Sequence, residues 1–110
     1  MSTQFVPPTS YIEDRFYSFW QRQNISHQLI RQYQVGPYYA DFAHPESRVI
    51  IEIDGHAYHS TPEQLERDQY RQQRLESWGW KVIRFTGKQV YHDPVRSVLR
   101  AKGAIERNLV

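Results

Sequence analysis

The chain has 110 residues, 39% of them hydrophobic, with fourteen Lys and Arg against twelve Asp and Glu and no cysteine. That length holds one core and excludes two independent domains. Without cysteine a disulfide framework, a thiolate zinc site and a cysteine nucleophile are excluded, so a metal must be held by oxygen or imidazole. A net charge of +2 is too small for the global field alone to point to a polyanion.

No apolar run reaches the length of a membrane span, and Met1 to Ser10 lacks the basic flank and apolar stretch of a secretory signal, so the expectation is a cytoplasmic protein with no membrane partner. Residues 1–9, with Pro7 and Pro8, read as a flexible leader, and 10–110 as one domain. Ser10-Tyr-Ile-Glu13 has the form of a capping box, in which Glu13 reaches back to the cap. Ile12, Phe16, Phe19 and Trp20 then make the apolar stripe of a helix over about 10–23.

Gln28 to Tyr33 alternates loosely and precedes the turn signal Gly36-Pro37, which predicts a strand there and its hairpin partner at Tyr38 to Ala43. After the turn His44-Pro-Glu-Ser47, Arg48 to Asp54 is Val/Ile-rich, as a central strand requires. Thr61-Pro62-Glu-Gln64 opens a polar helix to about Ser77, stopped by Gly79. Trp80 to Thr86 is a fourth strand, parallel to the third because a helix separates them. Asp93-Pro94 starts a last helix with Val95, Val98, Leu99, Lys102 and Ile105 at helical spacing. The order αβββαβα predicts an α/β fold: a four-stranded mixed sheet flanked by helices.

In Val49-Ile-Ile-Glu-Ile-Asp-Gly55 the side chains alternate, so Glu52 and Asp54 share one face. A register setting His44 opposite Val49 brings Asp41 opposite Glu52, and a one-residue slip sends it to the other face. Such a cluster of acids repels itself, and a divalent cation, Mg²⁺ or Mn²⁺, is the economical compensation. Nucleic acid is the matching partner, because a metal there activates water against a phosphodiester. His59, following His56, is the candidate proton carrier, with a structural histidine or a separate imidazole site as alternatives. Arg67, Arg71 and Arg74 form a helical stripe ending at Trp78, and Arg84 lies on the strand beside the acids. All four are candidate phosphate contacts. Glu63, Glu66, Asp68 and Glu76 interleave with the stripe and leave open a solvated face of paired charges. For Glu52 and Asp54 the alternative is a solubility device on a strand edge.

Four segments in order, Tyr39-Ala-Asp-Phe42, Val49 to Gly55 with His59, Asp68-x-x-Arg71-x-x-x-Leu75 and Gly79-Trp-Lys-Val-Ile-Arg-Phe85, resemble the very-short-patch-repair-like branch of PD-(D/E)XK nucleases. They also resemble a bacterial domain family of largely unassigned function. The resemblance implies a restriction-endonuclease-like core in which Asp41 and the Ile53 carbonyl bind the metal, Glu52 is the acid of the second half-motif, and His59 moves a proton. It also implies that Glu13 approaches the metal from the first helix and that Asp68 and Arg71 reach toward the site. Many relatives have lysine where this chain has Asp54. Either Asp54 is an added metal ligand, with His59 or Arg84 supplying the electrostatic work, or cleavage has given way to binding. The expectation is a Mg²⁺- or Mn²⁺-dependent endonuclease, DNA favoured over RNA, with a non-cleaving binding module as the alternative. Double-strand cutting requires a homodimer or successive nicks, and specificity is expected from a larger partner or not at all.

Overall fold

The computed structural model describes residues 8–54 and 61–110, with side chains from Tyr11 onward. The elements are α1 (Pro8–Arg22), β1 (Ile30–Val35), β2 (Tyr38–His44), β3 (Val49–Asp54), α2 (Pro62–Ser77), β4 (Lys81–Thr86), α3 (Gly87–His92) and α4 (Pro94–Leu109). They form a four-stranded sheet of order β1-β2-β3-β4, antiparallel up to β3 and parallel between β3 and β4. No helix among the described residues is long and apolar enough to cross a membrane.

The Val/Ile run of β3 is central, and all of it but Asp54 is buried. Its side chains feed two cores. Ile51 and Ile53 join Phe16, Trp20, Phe42, Phe85, Val98 and Ile105 beneath α1, α3 and α4. Ile50 joins Ala40, Ala43, Leu75 and Trp80 on the opposite face, which α2 covers. The apolar stripe expected on the first helix is buried at Ile12, Phe16 and Trp20, whereas Phe19 is only partly buried and lies beneath the guanidiniums of Arg15 and Arg22.

The two-residue hairpin loop places Gly36 at φ +58°, a conformation that a Cβ disfavours. α2 has the expected capping box, with Thr61 and Gln64 satisfying each other's backbone amides. Four expectations need correction. α1 begins at Pro8, so Ser10 lies inside the helix and cannot cap it, and Pro8 and Thr9 are helical; the rest of the leader expected over 1–9 lies outside the described residues. β1 starts at Ile30, two residues late. Thr86 and Gln89 form a second capping box that opens α3, a turn and a half of helix missing from the expected order. On α4, Val98 and Ile105 are buried with Ala101 and Ala104 while Val95 and Leu99 are exposed, because the small alanines let the helix lie close to the core.

Candidate active site

The β2–β3 register sets His44 against Val49, as the alternation argument required, and runs through Phe42 against Ile51. There the ladder stops. The amide of Ile53 donates instead to Asp41 Oδ2 at 2.8 Å, so a carboxylate occupies the place of a backbone acceptor. The β1–β2 ladder is interrupted at the same level. Arg31 pairs with Phe42 and Tyr33 with Ala40, while Gln32 and Asp41 between them are unpaired and Gln32 adopts φ +50°. A left-handed glutamine inside a strand costs about 1–2 kcal/mol. The kink breaks the period of two: Phe42 lies in the larger core and Ala40 in the smaller one.

Asp41 sits between two other carboxyls. On the α1 side Glu13, only 8% exposed, hydrogen-bonds to it and also accepts from Gln32 Nε2 at 3.3 Å. On the α2 side is Glu52, also 8% exposed. Burial pushes the pKa of Glu13 to about 7, aided by the charge of Asp41 and opposed by Arg31. Burial likewise raises Asp41, against the amide of Ile53 and the proton shared by Glu13. Glu52 is raised by burial too, in spite of Arg71. All three are carboxyls that water no longer solvates adequately, so their negative forms are disfavoured unless positive charge arrives.

One source of positive charge belongs to the chain itself. Arg71 on α2 forks onto both oxygens of Glu52 at 2.7 Å and donates to the Tyr39 carbonyl at 2.9 Å. Burial works against its charge, but the hydrogen bonds and charge of Glu52 prevail and hold its pKa above the ordinary value. Such bidentate pairs are the strong form of the charged hydrogen bond. Arg84 Nε donates to Gln72 at 2.9 Å, and its Nη1 stands 3.8 Å from Asp54.

The expected site residues therefore separate. Glu13, Asp41 and Glu52 come together from α1, β2 and β3, with Asp41 in the middle. Asp54, its side chain 59% exposed, stands at the rim beside Arg84. Among the described residues no three acidic or imidazole side chains close around one point tightly enough to cage an ion unaided. His59 and His56 lie outside the described residues. Arg71 belongs to the acid cluster, Arg74 packs against Tyr70 and Trp78, and Arg67 is exposed. Among the described residues none of Glu63, Glu66, Asp68 or Glu76 lies within ion-pair distance of these arginines, although the charge of Asp68 acts on Arg71. Capping does not explain Glu13, which is buried against Asp41. Gln32 was not foreseeable, since nothing about a glutamine in a loosely alternating strand signals a left-handed residue.

A mixed sheet of this order, with helices on both faces and an acid at the point where β2 and β3 part, is the restriction-endonuclease-like fold. The catalytic domain of the homing endonuclease I-Bth0305I has the same architecture, with a TM-score of 0.73 over 90% of this chain and 97% of that one at 15% identity. Residues 13–105 match the family described as REase_MTES_1575, and the chain belongs to that restriction-endonuclease-like family. Two curated relatives are uncharacterized proteins. One is YcjD of Escherichia coli K12, 38% identical over 60 residues that make up 54% of this chain and 49% of the relative. The other, from Haemophilus influenzae, is 33% identical over 78 residues, 67% of this chain and 64% of the relative. The chain thus spans from half to just under two thirds of their length.

Proposed function

We propose that this domain is an endonuclease that hydrolyses phosphodiester bonds of nucleic acid, DNA in preference to RNA, with Mg²⁺ or Mn²⁺ at Asp41 and Glu52. The observation that carries the reading is the desolvated line of Glu13, Asp41 and Glu52, three carboxyls with raised pKa held where two strands separate. The donor set fits such an ion: hard carboxylate oxygens and a nearby backbone, incomplete by themselves, as suits a cation that keeps water and takes substrate phosphate as a ligand. Asp41, Glu52 and the Ile53 carbonyl would hold it, with Asp54 at the rim. When bound, the ion activates water and offsets the charge that develops at phosphorus.

The chain's own groups supply the rest. Glu13, with a pKa about 7, holds or releases a proton beside Asp41 at neutral pH. For Glu52 to offer an oxygen, the Arg71 fork turns off it, and a guanidinium released at that point suits a phosphate of the substrate. Arg84, next to Asp54, supplies positive charge at the rim of the acids. His59 remains the candidate general base or acid.

Plasmid cleavage tests the reading. Cutting is expected with Mg²⁺ or Mn²⁺ and none with a chelator, and Asp41→Ala and Glu52→Ala, each folded by circular dichroism, should lose at least about a hundredfold in rate. Undiminished cutting by both variants refutes the assignment. One observation favours a second reading, a non-cleaving nucleic-acid-binding module: a guanidinium of the chain itself already pairs with Glu52. That reading expects salt-sensitive binding without turnover.

A further inference from the structure

Around Arg71, one strip of α2 and its C-cap carries further side chains that the cleavage chemistry does not use. At about 100° per residue, Arg67, Tyr70, Arg71, Arg74 and Trp78 fall within a sector about 100° wide. Of Glu63, Glu66, Asp68 and Glu76, only Glu63 shares that sector. Contacts join the strip to the hairpin in a continuous series. Arg74 donates to the Tyr70 hydroxyl at 2.7 Å, and its guanidinium lies 5.4 Å from the Tyr70 ring centre and 4.9 Å from that of Trp78. The Trp78 ring is 6.2 Å from Tyr38, and Arg71 lies 5.5 Å over Tyr38 while it holds Glu52. Gly36 makes room for this arrangement, since a Cβ there would stand 2.9 Å from two carbons of the Trp78 ring. A continuous series of guanidiniums and rings therefore runs from the exposed surface down to the acids.

Both rings of the strip are open to solvent: Tyr70 is 55% exposed and Trp78 37%. Exposed aromatics gathered in one patch mark a surface that binds something, and interleaved arginines select a polyanion over an apolar helix. Guanidiniums already stacked on rings lose little freedom when they contact phosphate. A blunt duplex keeps its base faces inside its own stack, so it can use these charges but not the rings. An unpaired strand offers both phosphates and free base faces.

We propose that Tyr70 and Trp78, with Arg67 and Arg74, form a stacking platform for unpaired nucleotides, so that the substrate carries a single-stranded stretch beside the bond to be cut. The proposal rests on the reading of the acid cluster as a nucleic-acid site, and binding tests it separately from cleavage. Fluorescence anisotropy in EDTA compares a labelled oligothymidylate of about twenty nucleotides with the same strand in a blunt duplex. The native chain should bind the single strand at least about tenfold tighter at equal salt. Tyr70→Ala with Trp78→Ala should lose about tenfold or more on the single strand and less than about threefold on the duplex, and the corresponding double Phe variant should recover single-strand binding. Equal affinity for the two ligands, no binding of the single strand, or an Ala double variant that binds like the native chain overturns the platform. Because no metal or turnover is involved, a chain that prefers single strands yet never cuts would sink the nuclease reading and leave the platform standing.

Discussion

The two faces of the sheet are built by different means. Beneath α1, α3 and α4 lies a large aromatic and aliphatic core in which Phe16, Phe42, Phe85 and Ile105 are almost wholly buried. Beneath α2 the core is small, and Leu75 is the one α2 residue counted among its buried members. Polar bonds hold that helix: Arg71 to Glu52 and to the Tyr39 carbonyl, and Gln72 to Arg84. The lesson is that one face carries the stability and releases the other to carry charge. A helix fastened by the groups that also serve the site can respond when those groups change partners.

Breaking this asymmetry from the stable side should have the largest effect. Phe16→Ala is expected to cost about 3–5 kcal/mol, read from urea unfolding, whereas Leu75→Ala should cost about 2–3 kcal/mol because the thinner α2 layer can settle into the space. Equal losses at the two positions would remove the distinction. The next effect is electrostatic and falls where the faces meet. Glu13 is raised from 4.5 to about 7, so between those values the folded state holds a proton that the unfolded chain releases. Its contribution to stability is complete below about pH 4.5 and lost as pH rises through about 7, amounting to roughly 1–3 kcal/mol. Urea midpoints in EDTA at pH 5.5 and 8 should therefore fall less in Glu13→Gln than in the native chain, and identical falls would discount the buried carboxyl. The smallest effect concerns the join between α2 and the hairpin. Gly36→Ala imposes a left-handed alanine against the Trp78 ring and should cost about 1–2 kcal/mol. It should also weaken single-strand binding more than it weakens the core, which anisotropy and thermal melting together would reveal.

Much of the fold was legible because its signals are local. The Val/Ile run of β3, the Thr61 and Gln64 cap and the Gly36-Pro37 turn each fix their element by short-range sterics and hydrogen bonding. α3 was missed although its capping box is visible in Thr86 and Gln89, since so short a helix leaves no periodic stripe. The stripe of α4 was read one face askew, because Ala101 and Ala104 give a weak apolar signal yet allow the closest approach.

For the candidate site, sequence alone determined that Glu52 and Asp54 share a face and that a register pairing His44 with Val49 brings Asp41 near. Those statements follow from the period of two, which no tertiary contact can alter without a bulge. Only the tertiary structure decided which acids cluster. It seats Glu13 against Asp41, leaves Asp54 at the rim, and lets Arg71 reach Glu52 across nineteen residues. The decisive kink at Gln32 and Asp41 is one that neither residue favours by itself. It persists because packing on both faces of the sheet, together with the hydrogen bonds of Gln32 and Ile53, holds the strands apart at that level.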